Sequence, residues 1–421
     1  MSEPLVLLLM VGAFAALALR AKLPLGLALA LAALAGALAG GQGLALRHLV
    51  EGAFGFFDII LILAAAMIFM RSVEASGALD ALAAALLGTF RRSRAGLLLT
   101  LMFLMMLPGM FTGSSLAAAL SAGPLVAPVL RTLGLPRARA GAFVALGAVA
   151  GMIAPPVNIL VMILGAGVDM PYVGLTAPLL LISVPAAVFA ALWLGRGAAR
   201  PSAAAGPGMA GPGTPERAPF RIYVPLLLVP ALMIVDNLHL PGLPGFGLPA
   251  IFLAGSAAAA VCGRRFNVLE AGRSAVERAI PILSILAGVG MFIQMMTLTG
   301  ARGWIVLSFL SLPSALLVAG LAVGLPLFGG VSAFGSASVL GVPFLLALVN
   351  RNAIIAAAAL SALAGLGDLV PPAAMAARFS AQAAGESDLK AVLRACGVPA
   401  LALLAWSLAV LSASPILERF L

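Results

Sequence analysis

The segments GMIAPP, residues 151–156, and GDLVPP, residues 367–372, decide how this chain folds. Each lies in an apolar run long enough for a helix, and each ends in two consecutive prolines. A proline has no N–H for the carbonyl four residues back, and the second proline drives the first out of helical geometry. Both helices must break. In an apolar interior the carbonyls freed near Gly151 to Ala154, and before Pro371, are costly unless something binds them.

The surroundings are apolar throughout. The 421 residues are 63% hydrophobic and 9% charged, against about a quarter charged in an ordinary soluble domain, and the mean hydropathy is +1.18. These values exclude a soluble enzyme and describe an all-α polytopic membrane protein in a lipid bilayer. The net charge of +10 sits in loop clusters, Arg20/Lys22, Arg91/Arg92/Arg94, Arg131/Arg137/Arg139 and Arg264/Arg265. No aromatics interleave them for base stacking, so nucleic acid is not the partner and the clusters read as topology signals. Cys262, Cys396, His48 and His239 are too few and too scattered for a disulfide framework, a metal cluster or a Ser-His triad. Glu3 precedes the first apolar run, so Pro4 to Leu19 reads as a retained span and not a cleaved signal peptide.

Apolar runs and Gly, Pro and Arg punctuation place spans near 4–19, 24–40, 56–70, 141–164 and 172–194, then near 222–236, 247–262, 279–297, 353–384 and 391–412. Each half also holds a segment too interrupted for one clean span: 95–130, broken at LPGMFTGSS, and 310–349, broken at LPLFGGVSAFGS. Both read as re-entrant hairpins, with paired full spans as the alternative. The expected architecture is thus about ten transmembrane helices plus two re-entrant hairpins. It divides into a first half over 1–197, a Pro/Gly-rich cytoplasmic linker over 198–220 and a second half over 221–421. With the N-terminus outside, only Arg47, Arg302, Arg351 and Arg419 of the 24 basic residues face outward, in accord with the positive-inside rule.

The halves are related. IILILAAAMIFMRSVEASGA, from Ile59, matches ILSILAGVGMFIQMMTLTGA, from Ile282, at seven positions, where composition alone gives roughly two. Pro155-Pro156 falls on Pro371-Pro372 at an offset of 216, and Gly113-Ser114 on Gly335-Ser336 at 222. Five spans per half is an odd number, so the copies are expected as inverted-topology repeats, a plan of secondary transporters. Shared Ala/Leu-rich composition is the bland alternative.

A cation would satisfy the bared oxygens. Hydroxyls of Thr112, Ser114 and Ser115 around Gly113, with carbonyls from Gly151 to Ala154, are one candidate sodium site. Ser332, Ser336 and Ser338 around Gly335, with Gly367 and Asp368, are the second. The same serines would serve equally in helix packing or back-bonding to their own turn. Half-helices starting at the tips and after Pro155-Pro156 and Pro371-Pro372 aim positive dipole ends inward, which suits an anionic substrate. Ser115 and Asn158 are placed to donate to it, although Asn158 fits a helix cap equally well. Arg378, opposite Met162 in the repeat, either clamps the anion or snorkels to the interface. Glu74 and Asp80 read as part of an interfacial arm helix, and Asp58 as a headgroup-level acid.

Two motifs fail on context. Gly206 to Gly211 fits G-x-G-x-x-G but lies in the linker with no strand before it, and neither Lys22 nor Lys390 follows a glycine as a Walker A would require. Gly365-Leu-Gly367-Asp368 matches the G-x-G-D of intramembrane aspartyl proteases, but that chemistry needs a second acid, for which Asp58 is the only candidate within a span.

FTGSSLAAALSAGPLVAP, followed by GLPRARAGAFVALGAVAGMIAPPVNILVMILGAGVDM, resembles the first hairpin and proline-broken helix of the large permease subunit of tripartite ATP-independent periplasmic (TRAP) transporters, of the ion transporter superfamily. DIILILAAAMIFMRS is similar to that family's third span. The resemblance implies an elevator mechanism, sodium coupling without another cofactor, and a bacterial inner-membrane location. It also implies a periplasmic solute-binding receptor, a small four-span membrane subunit and small organic acids as cargo. By it, Ser114, Ser115 and Gly151 to Pro156 form the first sodium site, and Ser336, Ser338 and Gly367 to Pro372 the second. The second hairpin and the acid in GDLVPP depart from the family pattern, which leaves a receptor-free carrier or antiporter as the alternative.

Overall fold

The structure is a computed structural model that describes residues 1–90, 93–199, 219–238, 245–348 and 351–419. Most of the linker, with Arg91, Arg92 and His239, lies outside the described residues. Among the described residues the regular structure is helical throughout. Five helices are long and apolar enough to cross a membrane alone, or seven if two bent pairs each count as one span, and seven shorter apolar helices accompany them. The span expected over 24–40 is the 15-residue helix Leu25–Ala39, about 22 Å long and short of a roughly 30 Å hydrocarbon core. The span expected over 279–297 belongs to a 31-residue helix, Val268–Leu298, which starts where the Asn267 side chain accepts from the Leu269 and Glu270 amides.

Two groups of helices pack side by side. In the framework group, Val268–Leu298 lies against Leu25–Ala39, Leu46–Phe54 and Phe57–Ala75, while Gly247–Cys262 packs on Phe57–Ala75 and Val224–Asn237. Glycines set the spacing: a Cβ on Gly290 would sit 2.0 Å from the Gly52 carbonyl oxygen, and one on Gly26 would sit 2.3 Å from that of Ser284. Close backbone approach is how apolar helices gain packing energy when lipid is as apolar as they are.

The other group holds both hairpins and both proline breaks. In the first hairpin, Arg94–Thr112 ends at Gly113, in the left-handed region at φ +59°, and extended Ser114 starts Ser115–Ser121 by accepting from the Ala117 amide at 3.2 Å. In the second, Ser314–Gly329 leads to Ser332, which accepts from the Gly335 amide at 3.1 Å and starts Ala333–Ser336. Ser332 is therefore the counterpart of Ser114, an offset of 332 − 114 = 218 that also brings Pro108 onto Pro326. The sequence pairing with Gly335-Ser336 is four residues, about one helical turn, too far along.

Glu74 is likewise displaced from its expected place. It ends the helix Phe57–Ala75 and faces the first hairpin, while Asp80 starts a separate helix, Ala78–Phe90.

Candidate functional site

The helix Arg137–Met152 stops before Pro155-Pro156 and restarts as Ile159–Ala166; Ala353–Gly365 stops before Pro371-Pro372 and restarts as Met375–Ala384. Both proline–proline bonds are cis. Each break is braced by the hairpin of its own half. The Val157 amide donates to the Met110 carbonyl at 3.0 Å, and the Ala373 amide donates to the Gly330 carbonyl at 2.9 Å. One turn before each break the hairpin and the broken helix touch through glycines. A Cβ on Gly151 would lie 2.3 Å from the Met106 oxygen, and one on Gly367 would lie 2.3 Å from the Gly329 Cα.

The two breaks are finished differently. At the first, Tyr172 accepts from the Asn158 amide at 3.0 Å and donates to the Pro156 carbonyl at 3.1 Å. Asn158 is fully buried; its oxygen caps the Val161 amide, and its nitrogen donates to the Ile153 carbonyl and to Ser361. The Ile153 and Pro156 carbonyls are thus served by protein donors. Asn158 spends its side chain on the cap and on joining the two broken helices, so it has no spare amide hydrogen for a substrate. Tyr172 was not foreseen; it follows Pro171 in a loop without periodicity, and its rarity, as one of two tyrosines, was the available signal.

At the second break Pro371 and Pro372 are exposed. Exposed Arg378 donates to the Pro372 carbonyl at 2.7 Å, so in this state its guanidinium serves the break itself. Asp368 lies in the 3-10 turn Leu366–Leu369, and its carboxylate accepts from Ser115, the first residue of the first hairpin's return helix. This contact, across 253 residues, joins members of two sites that the sequence reading kept apart, one per half.

The remaining hydroxyls donate to backbone carbonyls or cap helices. Thr112 donates to the Pro108 carbonyl at 2.6 Å, Ser336 to Leu325 at 2.7 Å and Ser338 to Gly335 at 2.9 Å, which leaves their oxygen lone pairs as acceptors. Ser114 and Ser332 are buried caps. Gly113 fits tightly against Ile159 and Gly330 against the Pro371 carbonyl, so each tip abuts its own break. The Ser115–Asp368 contact joins the first hairpin tip to the second break, where Pro371, Pro372 and Arg378 are exposed.

A cavity of about 400 Å³ separates the first hairpin from the framework, running from Thr112 and Leu116 to Arg71, Glu74, Ser121 and Arg278. Asp58 is exposed at the start of Phe57–Ala75 and is not the partner of Asp368. Among the described residues no group of three His, Cys, Asp or Glu side chains is placed to hold a metal ion.

No family model matches the chain, and no curated protein matches it significantly in sequence. In structure it is similar to the YdaH transporter of Alcanivorax borkumensis, described as having an unusual topology, with a TM-score of 0.61 and 18% identity over 87% of each chain. It is also similar to MtrF of Neisseria gonorrhoeae, described as illuminating a class of antimetabolite efflux pumps, with a TM-score of 0.56 and 15% identity over 87% of this chain and 83% of that one. At these identities the likeness shows the fold, one used by membrane transporters. It does not extend to the tripartite assembly that the hairpin motif suggested.

Proposed function

We propose that the chain is a sodium-coupled secondary transporter of small organic anions, carboxylates first among them, working by an elevator motion of the hairpin group against the framework. The observation that carries this reading is Asp368 at a helix break in an apolar bundle, held by Ser115 from the opposite half. An ionised carboxylate there needs a positive partner, and a cation bound between a mobile hairpin tip and a broken helix couples its own occupancy to closure of the site. The helix breaks, their hairpin braces and the transporter fold support inverted repeats around such a site. A transporter reading also displaces the protease one, since Asp368 is paired with a serine and not with a second acid.

Two forms of the reading differ in partners. The first-hairpin motif supports an inner-membrane uptake system with a periplasmic receptor and a small membrane subunit; the departures of the second hairpin and of GDLVPP from that family's pattern support a receptor-free carrier or antiporter. Uptake of a carboxylate panel by the purified chain alone in proteoliposomes separates them, because only the receptor-free form works without a soluble receptor. In whichever form is active, the sodium gradient is expected to drive transport, with Asp368→Asn and Ser115→Ala each lowering the sodium-stimulated rate by about tenfold or more. Transport indifferent to sodium in the native protein overturns the coupling assignment.

A further inference from the structure

We infer that the cavity between the first hairpin and the framework is an anion subsite in which Arg71 and Arg278 take the carboxylate of a cargo with an apolar body, and that Glu74 holds their place while the subsite is empty. The inference rests on the organic-anion reading above but concerns a different place from the Ser115–Asp368 junction.

Charge and geometry carry it. Two guanidinium groups face one carboxylate: Arg71 donates to Glu74 Oε2 at 3.1 Å, and Arg278 Nη1 lies 3.9 Å from the same oxygen. The other carboxylate oxygen of Glu74 accepts from Ser121 on the hairpin's return helix. One acid therefore satisfies parts of two bases, and the cavity keeps a net positive charge. Arg71 Nε is buried without a hydrogen-bond partner. A buried orphan donor is costly, and one on a guanidinium is best satisfied by a bidentate carboxylate. Beyond these four side chains the walls are largely apolar, with Met67, Leu116 and Ile282 among them, so the matching ligand carries its charge at one end only.

The position fits passage of cargo. The charged end lies about one turn from Ser76, whose carbonyl accepts from the Arg264 amide, and the inner end is Thr112 at the hairpin tip. The repeat gives this end no charged twin, because Arg71 pairs with Gln294 and Arg278 with Gly55 at the offset of 223. The pair of arginines is thus particular to one end of the molecule, where an ion arriving or leaving exchanges places with Glu74.

A resident carboxylate competes with the ligand, and that gives an unusual sign. Binding of hexanoate to the purified full-length protein in detergent, measured by calorimetry without a sodium gradient, is expected to tighten by roughly tenfold in Glu74→Gln, since two guanidinium groups are released while the amide oxygen still accepts from Ser121. Arg278→Gln added to that variant should remove the gain, and acetate, lacking the apolar body, should bind more weakly than hexanoate throughout. An unchanged or weakened hexanoate affinity in folded Glu74→Gln protein overturns the proposal. If that variant does not fold, Arg71→Gln decides in its place: roughly tenfold weaker binding supports the subsite, and unchanged binding removes it. Sodium-independent transport with hexanoate binding intact would defeat only the coupling assignment. Sodium-driven transport with no Arg71 or Glu74 effect on binding would defeat only this subsite.

Discussion

A single hydroxyl seals the first break. Tyr172 accepts from the Asn158 amide and donates to the Pro156 carbonyl, so it stands where the missing helical hydrogen bonds would have been. Tyr172→Phe keeps the ring and leaves both backbone groups without that partner in a buried setting; the expected loss is about 1–3 kcal/mol. It should appear as a lowered unfolding midpoint in detergent with the helical content unchanged, and an unaltered midpoint would mean that water or a neighbour replaces the hydroxyl. At the second break no tyrosine takes this place; Arg378 donates to the Pro372 carbonyl instead. The counterpart position of Tyr172 is Asp388, which caps the helix Leu389–Ser412 at the Lys390 amide. The same backbone interruption is therefore served at one site by a neutral buried hydroxyl and at the other by the exposed guanidinium of Arg378.

At the scale of elements, each half repeats one device: a hairpin arm crossing a broken helix at a glycine contact one turn before the proline pair. The crossing leaves no room for a methyl group, with 2.3 Å available at Gly151 and at Gly367 against backbone atoms that cannot rotate away. Gly151→Ala or Gly367→Ala must push the hairpin off its break, and overpacking of this kind costs about 1–3 kcal/mol. Each change should lower the unfolding midpoint and slow transport together, whereas Gly12→Ala, with open space around its Cβ, should do neither. The breaks themselves were legible because two prolines leave a helix no alternative. The hairpin register was not: LPGMFTGSS and LPLFGGVSAFGS offer several serines, and sequence does not say which one caps, so the pairing slipped by a turn from Ser332 to Ser336. The Ser115–Asp368 contact was equally out of reach, since it depends on how two halves interlock and not on any local pattern.

Across the whole molecule, arginine contacts sort the loops into two ends. At one end Arg94 donates to the Gly195 carbonyl, Arg139 to that of Arg196 and Arg137 to that of Gly385, while Gly77 packs on Arg264. At the other, Arg302 donates to Gly167 and Arg351 to Ser412, Gly40 packs on Thr299, and Gly300 on Glu3. Several of these are guanidinium groups on the last carbonyls of helices, where the dipole favours positive charge, so the contacts have a reason of their own besides topology. The sequence reading places Arg302 and Arg351 outside with Arg47 and Arg419, and Arg94, Arg137, Arg139 and Arg264 inside, since a positive charge at a helix end is costly to move across the bilayer. The orientation is testable with single cysteines placed where no contact is lost, in a background with Cys262 and Cys396 changed to serine. Gln42→Cys belongs to the end that includes Gly40, and Ser387→Cys to the end that includes Gly385; both positions are exposed. In intact cells a membrane-impermeant maleimide is expected to label Gln42→Cys and to reach Ser387→Cys only after the membrane is opened. The reverse pattern would invert the molecule and turn the charged mouth of the Arg71–Arg278 cavity from the cytoplasmic to the external side, and labelling of both from outside would break the two-ended arrangement altogether.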